Sequence, residues 1–299
     1  PAAIAILDAF PNSSEKSKPT LIKALGELQC VGAVQQITPF VNDKNAATSK
    51  VALAALANIG DPGSYKTLSG AAKNANYAYE PTNATEAFLN YADVLGAKNE
   101  IELCKKACNE IIKANQAQDK LHNYSKALSV YSKYFGVEVL PLLMKAIDNT
   151  DKPFRYSVLN LAEKTGDISA TRQWIAKAKT SSDEIKAEII DMLGRRGDGL
   201  AVDFVNENIN SASETVRAEA INALLKLKGK AAADDLIGHL AKGQDIEPAK
   251  TALLQVLDKQ HLAPAAAQLG KTSGKTKAAF IDLIAAKSGT QYFTQVFAA

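Results

Sequence analysis

RYSVLNLA at residues 155–162 and KAEIIDML at 186–193 share one pattern with three later segments, RAEAINALL at 217–225, KTALLQVL at 250–257 and KAAFIDLI at 277–284. In each segment, a leading Lys or Arg is followed by apolar residues three, four, six and seven positions later. The leading residues lie 31, 31, 33 and 27 positions apart. A repeat of about 30 residues is typical of solenoids and propellers.

The repeated segments are predicted to be helices, because apolar residues spaced three and four apart lie on one helical face. The same register occurs earlier in the chain, in segments led by Lys18, Lys50, Thr85 and Tyr124. The sequence therefore predicts nine such helices, which we call second helices.

A shorter apolar segment precedes each second helix, for example GAVQQITPFV at 32–41, VEVLPLLMKAI at 137–147 and GLAVDFVNENI at 199–209. Glycine, which favours the left-handed end of a helix, is predicted to separate the hairpins at Gly60, Gly96, Gly136, Gly166, Gly197, Gly229 and Gly289. Helical hairpins of this size cannot bury both apolar faces alone, so they stack on their neighbours. We predict an all-α chain, a right-handed α-α superhelix of about nine hairpins plus a truncated tenth, with residues 1–299 forming a single array.

These features resemble the HEAT-repeat family, whose first helices often contain Pro and whose second helices begin with Val-Arg. The chain has Pro39, Pro141 and Pro264 in first helices, and Val216-Arg217 precedes AEAINALL. The resemblance implies that the leading Arg or Lys pairs with carboxylates and carbonyls between hairpins, a structural role. It also implies that second helices line the concave wall of the array.

Two rows of residues on the second helices are predicted to face outward. With about 100° per residue, positions five and nine after the leading residue lie opposite the apolar face. Position nine gives Lys133, Lys164, Arg195, Lys226 and Lys259, and position five gives Asn160, Asp191, Asn222 and Gln255. The cations could simply complement the helix dipole. Alternatively, together with the amides and carboxylates they form a polar groove for an extended or acidic partner.

A second candidate surface is the loop NANYAYEPTN at 74–83, which carries Tyr77 and Tyr79. Long loops often hold binding residues, although the aromatic residues of this region could also fill a wider core.

No set of residues indicates a reaction, so no catalytic residue, cofactor or metal site is predicted. Cys104 and Cys108 share a helical face, and buried packing is the favoured explanation for them. Arg196-Gly197-Asp198 has the sequence of a cell-adhesion tripeptide, but its position at a helix joint favours a structural role.

Composition narrows the partner classes. The chain has 35 Lys and Arg residues and 32 Asp and Glu residues, and both signs of charge are spread evenly along it. This charge distribution does not favour binding to nucleic acid. No apolar run is long enough to span a membrane. Neither terminus provides a polar cap, so we expect a piece of a longer protein, with room for a fused domain after residue 299.

The sequence thus predicts a non-catalytic interaction or scaffolding module that binds a protein or peptide on its concave face. Two alternatives stay open: a nucleic-acid-binding or base-modifying HEAT-like protein, and a HEAT-like lyase or cofactor-transfer subunit. The array also resembles helical segments attached to extracytoplasmic bacterial enzymes that act on sugars, which implies a bacterial periplasmic or extracytoplasmic location.

Overall fold

Helical hairpins account for the whole fold of the computed structural model, which describes residues 2–287 and 289–298 and has no β-strand in those ranges. The second helices are α2 (Lys18–Glu27), α4 (Ala46–Ile59), α6 (Ala84–Ala97), α8 (Leu121–Phe135), α10 (Lys152–Lys164), α12 (Asp183–Arg196), α14 (Glu214–Lys228), α16 (Ile246–Val256) and α18 (Gly274–Ala286). The first helices are α1 (Ala2–Ala9), α3 (Val34–Ile37), α5 (Tyr65–Asn74), α7 (Ile101–Ala114), α9 (Leu140–Ala146), α11 (Ile168–Thr180), α13 (Val202–Asn208), α15 (Ala233–Ala241), α17 (Leu262–Ala266) and α19 (Phe293–Ala298). The predicted nine hairpins and truncated tenth are confirmed for these residues.

The chain divides into two compact units, Pro1–Val139 and Leu140–Ala299. In the N-terminal unit, α2, α4, α6 and α8 pack side by side in chain order. In the C-terminal unit, α10, α12, α14, α16 and α18 do the same, and each packs against its own first helix. Each unit is therefore a stack of hairpins. Continuity of one array through residues 139 and 140 stays a prediction.

Small residues allow neighbouring second helices to approach closely. A Cβ atom added to Gly194 of α12 would lie 2.7 Å from the Cα of Ala223 in α14. The N-terminal unit has a similar contact, where a Cβ on Gly26 of α2 would lie 2.6 Å from the Cα of Ala55 in α4. Such distances are shorter than van der Waals contact, so the helices could not stay this close with a larger residue at either glycine.

One of the predicted glycine joints is wrong. Gly96 lies inside α6 rather than after it, and its lack of a side chain makes room for the ring of Tyr134. Asn99, with φ of 65°, follows that helix instead. Gly289 does lie between α18 and the last 3₁₀ turn, but its φ of −75° is not left-handed. By contrast, Gly60 and Gly197 end α4 and α12 in the left-handed conformation, as predicted.

The leading arginines connect hairpins, as the resemblance implies. Arg155 is 2% exposed, and its Nη1 donates to the carbonyl oxygens of Asn149 and Thr150, both at 3.0 Å, in the turn of its own hairpin. Its other nitrogens donate to Glu184 and Glu188 of α12, in the next hairpin.

Arg217 repeats the arrangement two hairpins further along the chain. Its Nη1 donates to the carbonyl oxygens of Ser211 and Ala212, and its Nε and Nη2 donate to the carboxylate of Asp245 at 2.6 and 3.0 Å. The predicted structural role of these two leading residues is confirmed.

Arg196 makes a third connection of this kind. Its guanidinium donates to the carbonyl oxygens at residues 162, 163, 165, 166 and 167, at and beyond the C-terminal end of α10. Its partner in the tripeptide, Asp198, accepts from the backbone N–H of Leu200 at 3.0 Å and from the hydroxyl of Thr171 at 2.7 Å. Both charged side chains of this tripeptide are thus occupied within the fold, which agrees with the predicted joint.

Replacing Gly194 by alanine tests the close approach. We expect Gly194→Ala to lower the free energy of unfolding by about 1–3 kcal/mol, because the added methyl group overpacks the α12–α14 contact. Gly238→Ala in α15 is the matched control, since its added Cβ would have nothing within 4 Å. That control should gain stability from the better helix propensity of alanine, by roughly 0.5–1 kcal/mol. Urea unfolding followed by circular dichroism measures both, and equal shifts would contradict the close packing.

Removing the charged head of Arg155 tests the connection between hairpins. We expect Arg155→Met to lose about 3–5 kcal/mol, because Glu188 and two turn carbonyls lose a buried partner. Lys164→Met, at an exposed position on the same helix, should stay within about 0.5 kcal/mol of wild type. The comparison uses the same urea titration. A loss at residue 155 no larger than that at residue 164 would show that the buried ion pair contributes little.

Candidate functional site

Four of the predicted partner-binding residues meet on the second helices of the C-terminal unit. Arg195 donates from Nη1 to Oδ1 of Asn160 at 3.1 Å and from Nε to Oδ2 of Asp191 at 3.0 Å. The Nζ of Lys226 donates to Oδ1 of Asp191 at 2.8 Å. Arg195 also forms an ion pair with Glu163. Residues of α10, α12 and α14 are therefore linked by one network of ion pairs.

This network gives two cations of the outward row a counter-ion within the fold. Arg195 and Lys226 share the carboxylate of Asp191. Burial alone would raise the pKa of Asp191, but the hydrogen bonds and positive charges of Lys226 and Arg195 outweigh burial and hold that pKa below its usual value. Asp191 thus stays ionised and neutralises much of the positive charge that the sequence pattern placed here.

Lys164, Asn222 and Gln255 lie exposed on α10, α14 and α16, as their positions in the repeat predict. Lys259 is different, because α16 ends at Val256 and Asp258 then caps a new 3₁₀ turn that begins at Lys259. Lys259 is exposed but does not lie on a second helix, so it does not extend the row.

Lys133 belongs to the N-terminal unit and is paired there. Its Nζ donates to Oδ1 of Asp93 at 2.7 Å and lies 4.9 Å from the ring centre of Tyr134. The cation is exposed, yet it already has a counter-ion, like those in the C-terminal unit.

The two loop tyrosines have opposite environments. Tyr79 is 85% exposed, as predicted, whereas Tyr77 is only 8% exposed. Asn76 and Tyr77 both have φ of 50°, a left-handed pair that turns the chain back toward the core. The hydroxyl of Tyr77 then donates to Oε1 of Glu110 at 2.8 Å. As a surface contact Tyr77 is therefore a wrong prediction, and its burial raises the pKa of its hydroxyl.

Glu110 anchors this loop through several donors. Besides Tyr77, its carboxylate accepts from the hydroxyls of Tyr65 at 3.0 Å and Ser69 at 2.5 Å. Lys120 holds the loop from the other side, because its Nζ donates to the carbonyl oxygen of Asn76 at 2.7 Å. The exposed ring of Tyr79 is consequently carried on a well-anchored loop.

A groove of about 190 Å³ lies beside the ion-pair network of the C-terminal unit. Its apolar floor consists of Tyr156 and Leu159 from α10 and Ala187 from α12. Tyr156 is 60% exposed, and the guanidinium of Arg195 lies 5.8 Å from the centre of its ring. The charged and polar lining residues are Lys152, Glu184, Glu188, Asp191, Arg195, Thr215 and Glu219. We call this feature the second-helix groove.

Three lining residues, Tyr156, Glu188 and Glu219, were not predicted as partner-binding residues, although the signal was present. These residues follow their leading basic residues by one or two positions. With about 100° per residue, both positions also point away from the apolar face. Choosing only positions five and nine excluded them.

A buried His–Asp–Arg cluster also escaped sequence reasoning. Nε2 of His239 lies 3.1 Å from Oδ2 of Asp245, the carboxylate that Arg217 also binds. The side chains of His239 and Asp245 are 0% and 6% exposed. Such a pair can orient a catalytic base, but here no face of the imidazole reaches a groove or solvent. Its role is to join α14, α15 and the turn before α16.

This cluster predicts a loss of stability in mild acid. Burial lowers the pKa of His239 below its usual 6.5, against the opposing effect of Asp245. As the pH falls through about 6.5, the unfolded chain takes up a proton that folded His239 resists, so folding becomes less favourable. By about pH 5.5 the loss from this group can reach at most about 1.4 kcal/mol.

His239→Gln, which keeps a side-chain donor but does not titrate, should remove this part of the pH dependence. His122→Gln, at an exposed position, should retain it. Thermal unfolding of the three proteins between about pH 7.5 and about pH 5.5 makes the comparison. Parallel pH profiles for all three proteins would contradict the assignment.

Cys104 and Cys108 are both fully buried and unbridged in α7, as predicted for packing residues. Within residues 2–287 and 289–298, no group of His, Cys, Asp and Glu side chains is arranged to hold a metal ion. In the same ranges, no helix combines the length and the apolar character needed to cross a bilayer.

Part of the C-terminal unit matches a known family of helical repeats. The family model of HEAT repeats matches residues 171–258, which run from within α11 to just past the end of α16. Among solved structures, a crystal structure of an engineered protein from the Northeast Structural Genomics Consortium has a TM-score of 0.41 at 12% identity, over 99% of this chain and 92% of that chain. No curated protein sequence matches the chain.

Proposed function

We propose that this chain, whose residues 171–258 are HEAT repeats, is an interaction module that binds a segment of a partner protein in the second-helix groove. HEAT repeats form a helical scaffold typical of protein-interaction modules. The observation that carries the proposal is the groove itself, where the ring of Tyr156 is open to solvent and bordered by charged side chains.

The chemistry of the groove suits a protein segment. Binding sites on protein surfaces commonly combine an aromatic anchor with a polar rim, and tyrosine and arginine are enriched among residues that contribute most to affinity. Tyr156 and Arg195 supply these residue types next to each other. The ion pairs around Arg195 restrain its side chain before binding. Less of the rotamer freedom of Arg195 is therefore lost when a partner binds.

A nucleic-acid partner fits the same surface less well. Arg195 and Lys226 are paired with Asp191, and Glu184, Glu188 and Glu219 lie close by. Carboxylates at these positions repel a phosphate backbone, so the charge pattern favours a protein partner.

The loop of Tyr79 is a second candidate surface. An exposed tyrosine on an anchored loop offers a large contact area at little cost in conformational entropy. One experiment can separate the two surfaces, because each contains a single well-exposed tyrosine.

Peptides selected from a random display library against the whole chain provide the test. For the tightest binders, we expect Tyr156→Ala to weaken the affinity by about tenfold or more, since truncating an aromatic anchor typically costs more than 1 kcal/mol. Tyr79→Ala is the matched control and should leave the affinity unchanged. Fluorescence anisotropy measures the dissociation constants, and circular dichroism checks that both variants are folded.

The reverse pattern, with affinity lost only in Tyr79→Ala, would move the site to the loop. Affinity unchanged in both variants would reject both surfaces.

A further inference from the structure

The second-helix groove carries an excess of negative charge. Glu184, Glu188, Asp191 and Glu219 outnumber Lys152 and Arg195 among its lining residues, four acids against two bases, which gives a formal charge of −2. The excess persists when the adjoining Glu163, Arg155 and Lys226 are included, five acids against four bases, which gives −1. A partner that brings positive charge would therefore be electrostatically complementary.

Glu219 is the carboxylate on which this excess is concentrated. It is partly buried on α14, and no lysine or arginine in the described part of the chain forms an ion pair with it. Burial raises the pKa of Glu219, and the nearby charge of Asp191 raises it further, more than Lys226, Asn222 and Lys152 lower it. A desolvated carboxylate without a direct counter-ion is an unfavourable arrangement that an incoming cation would relieve.

The apolar floor of the groove suits the aliphatic stem of a lysine or arginine side chain. Lysine and arginine lay their aliphatic stems along apolar surface while the charged head reaches polar groups. The exposed ring of Tyr156 provides nearly all of that surface, since Leu159 and Ala187 are each only 2% exposed, and the ring can also attract a cation through its π face.

Building on the function proposed above, we propose that the occupant of the groove is a lysine or arginine side chain from an extended segment of a partner protein. Its stem lies on the ring of Tyr156, and its head lies between Glu219 and Glu184. This proposal differs from the acidic partner that the outward row of cations offered as one alternative.

Two peptide display libraries test this inference, one allowing all residues and one without lysine and arginine. We expect binders that depend on Tyr156 to come from the first library, to contain a basic residue, and to bind about tenfold or more tightly than any from the second. Glu219→Gln should weaken such a binder about fivefold or more, whereas Glu207→Gln, an exposed acid on α13, should not.

An arginine-containing binder without histidine supplies a further readout. Its affinity for the wild-type chain should fall as the pH is lowered from about 7 to about 5, because Glu219 becomes protonated. The other charged groups facing the site are Lys152 on α10, Glu184, Glu188, Asp191 and Arg195 on α12, and Lys226 on α14. The Glu219→Gln variant should show a weaker pH dependence, which assigns the effect to Glu219 rather than to these groups.

The outcomes separate this inference from the proposed function. Equally tight, Tyr156-dependent binders from the library without basic residues would keep the groove as the binding site and overturn its preference for a cation. An undiminished affinity in Glu219→Gln would also overturn that preference. No Tyr156-dependent binder from either library would reject the groove itself.

Discussion

The packing of each second helix against the next is the constraint on which the structure of each unit depends. A single hairpin has apolar residues on more than one side, and only a neighbouring hairpin can cover them. Where α12 meets α14, Gly194 lies against Ala223, and where α2 meets α4, Gly26 lies against Ala55. These small residues bring the backbones close enough for the larger side chains around them to be buried completely.

Close packing of the helices also explains how the charged residues are used. Because successive second helices lie side by side, long side chains on one helix reach carboxylates on the next. Arg155 and Arg217 use this proximity to connect a turn with the following hairpin, and Arg195 and Lys226 use it to share Asp191. Most of the cations on this face are consequently occupied within the fold. What stays open to a partner is the groove beside them, with Tyr156 on its floor and Glu219 on its border.

The sequence predicted the architecture well because the signal is local. A leading basic residue and four apolar positions suffice to locate each second helix, even where Thr85 and Tyr124 replace the cation. The structural role of the leading arginines could also be predicted, since the resemblance to HEAT repeats implies it for these positions.

The sequence predicted the candidate site less well, because pairing across helices is not visible in a local pattern. Asp191 neutralises Lys226, which lies 35 residues away in the chain. Two left-handed residues, Asn76 and Tyr77, bury a side chain that its loop position would expose, and Asp258 starts a new turn that removes Lys259 from its row. The excess of carboxylates in the groove comes largely from α12, which carries Glu184, Glu188 and Asp191, but the sequence pattern does not show that these acids lie beside Tyr156 of α10 and Glu219 of α14.

The central claim is that the same second helices build the core of the C-terminal unit and present its binding surface. Hydrogen–deuterium exchange of the chain, free and saturated with a selected peptide, tests this claim most directly. Our account predicts slower exchange on binding in α10, α12 and α14, with little change in the first helices α9, α11 and α13. Protection concentrated in those first helices, or confined to the N-terminal unit, would contradict it.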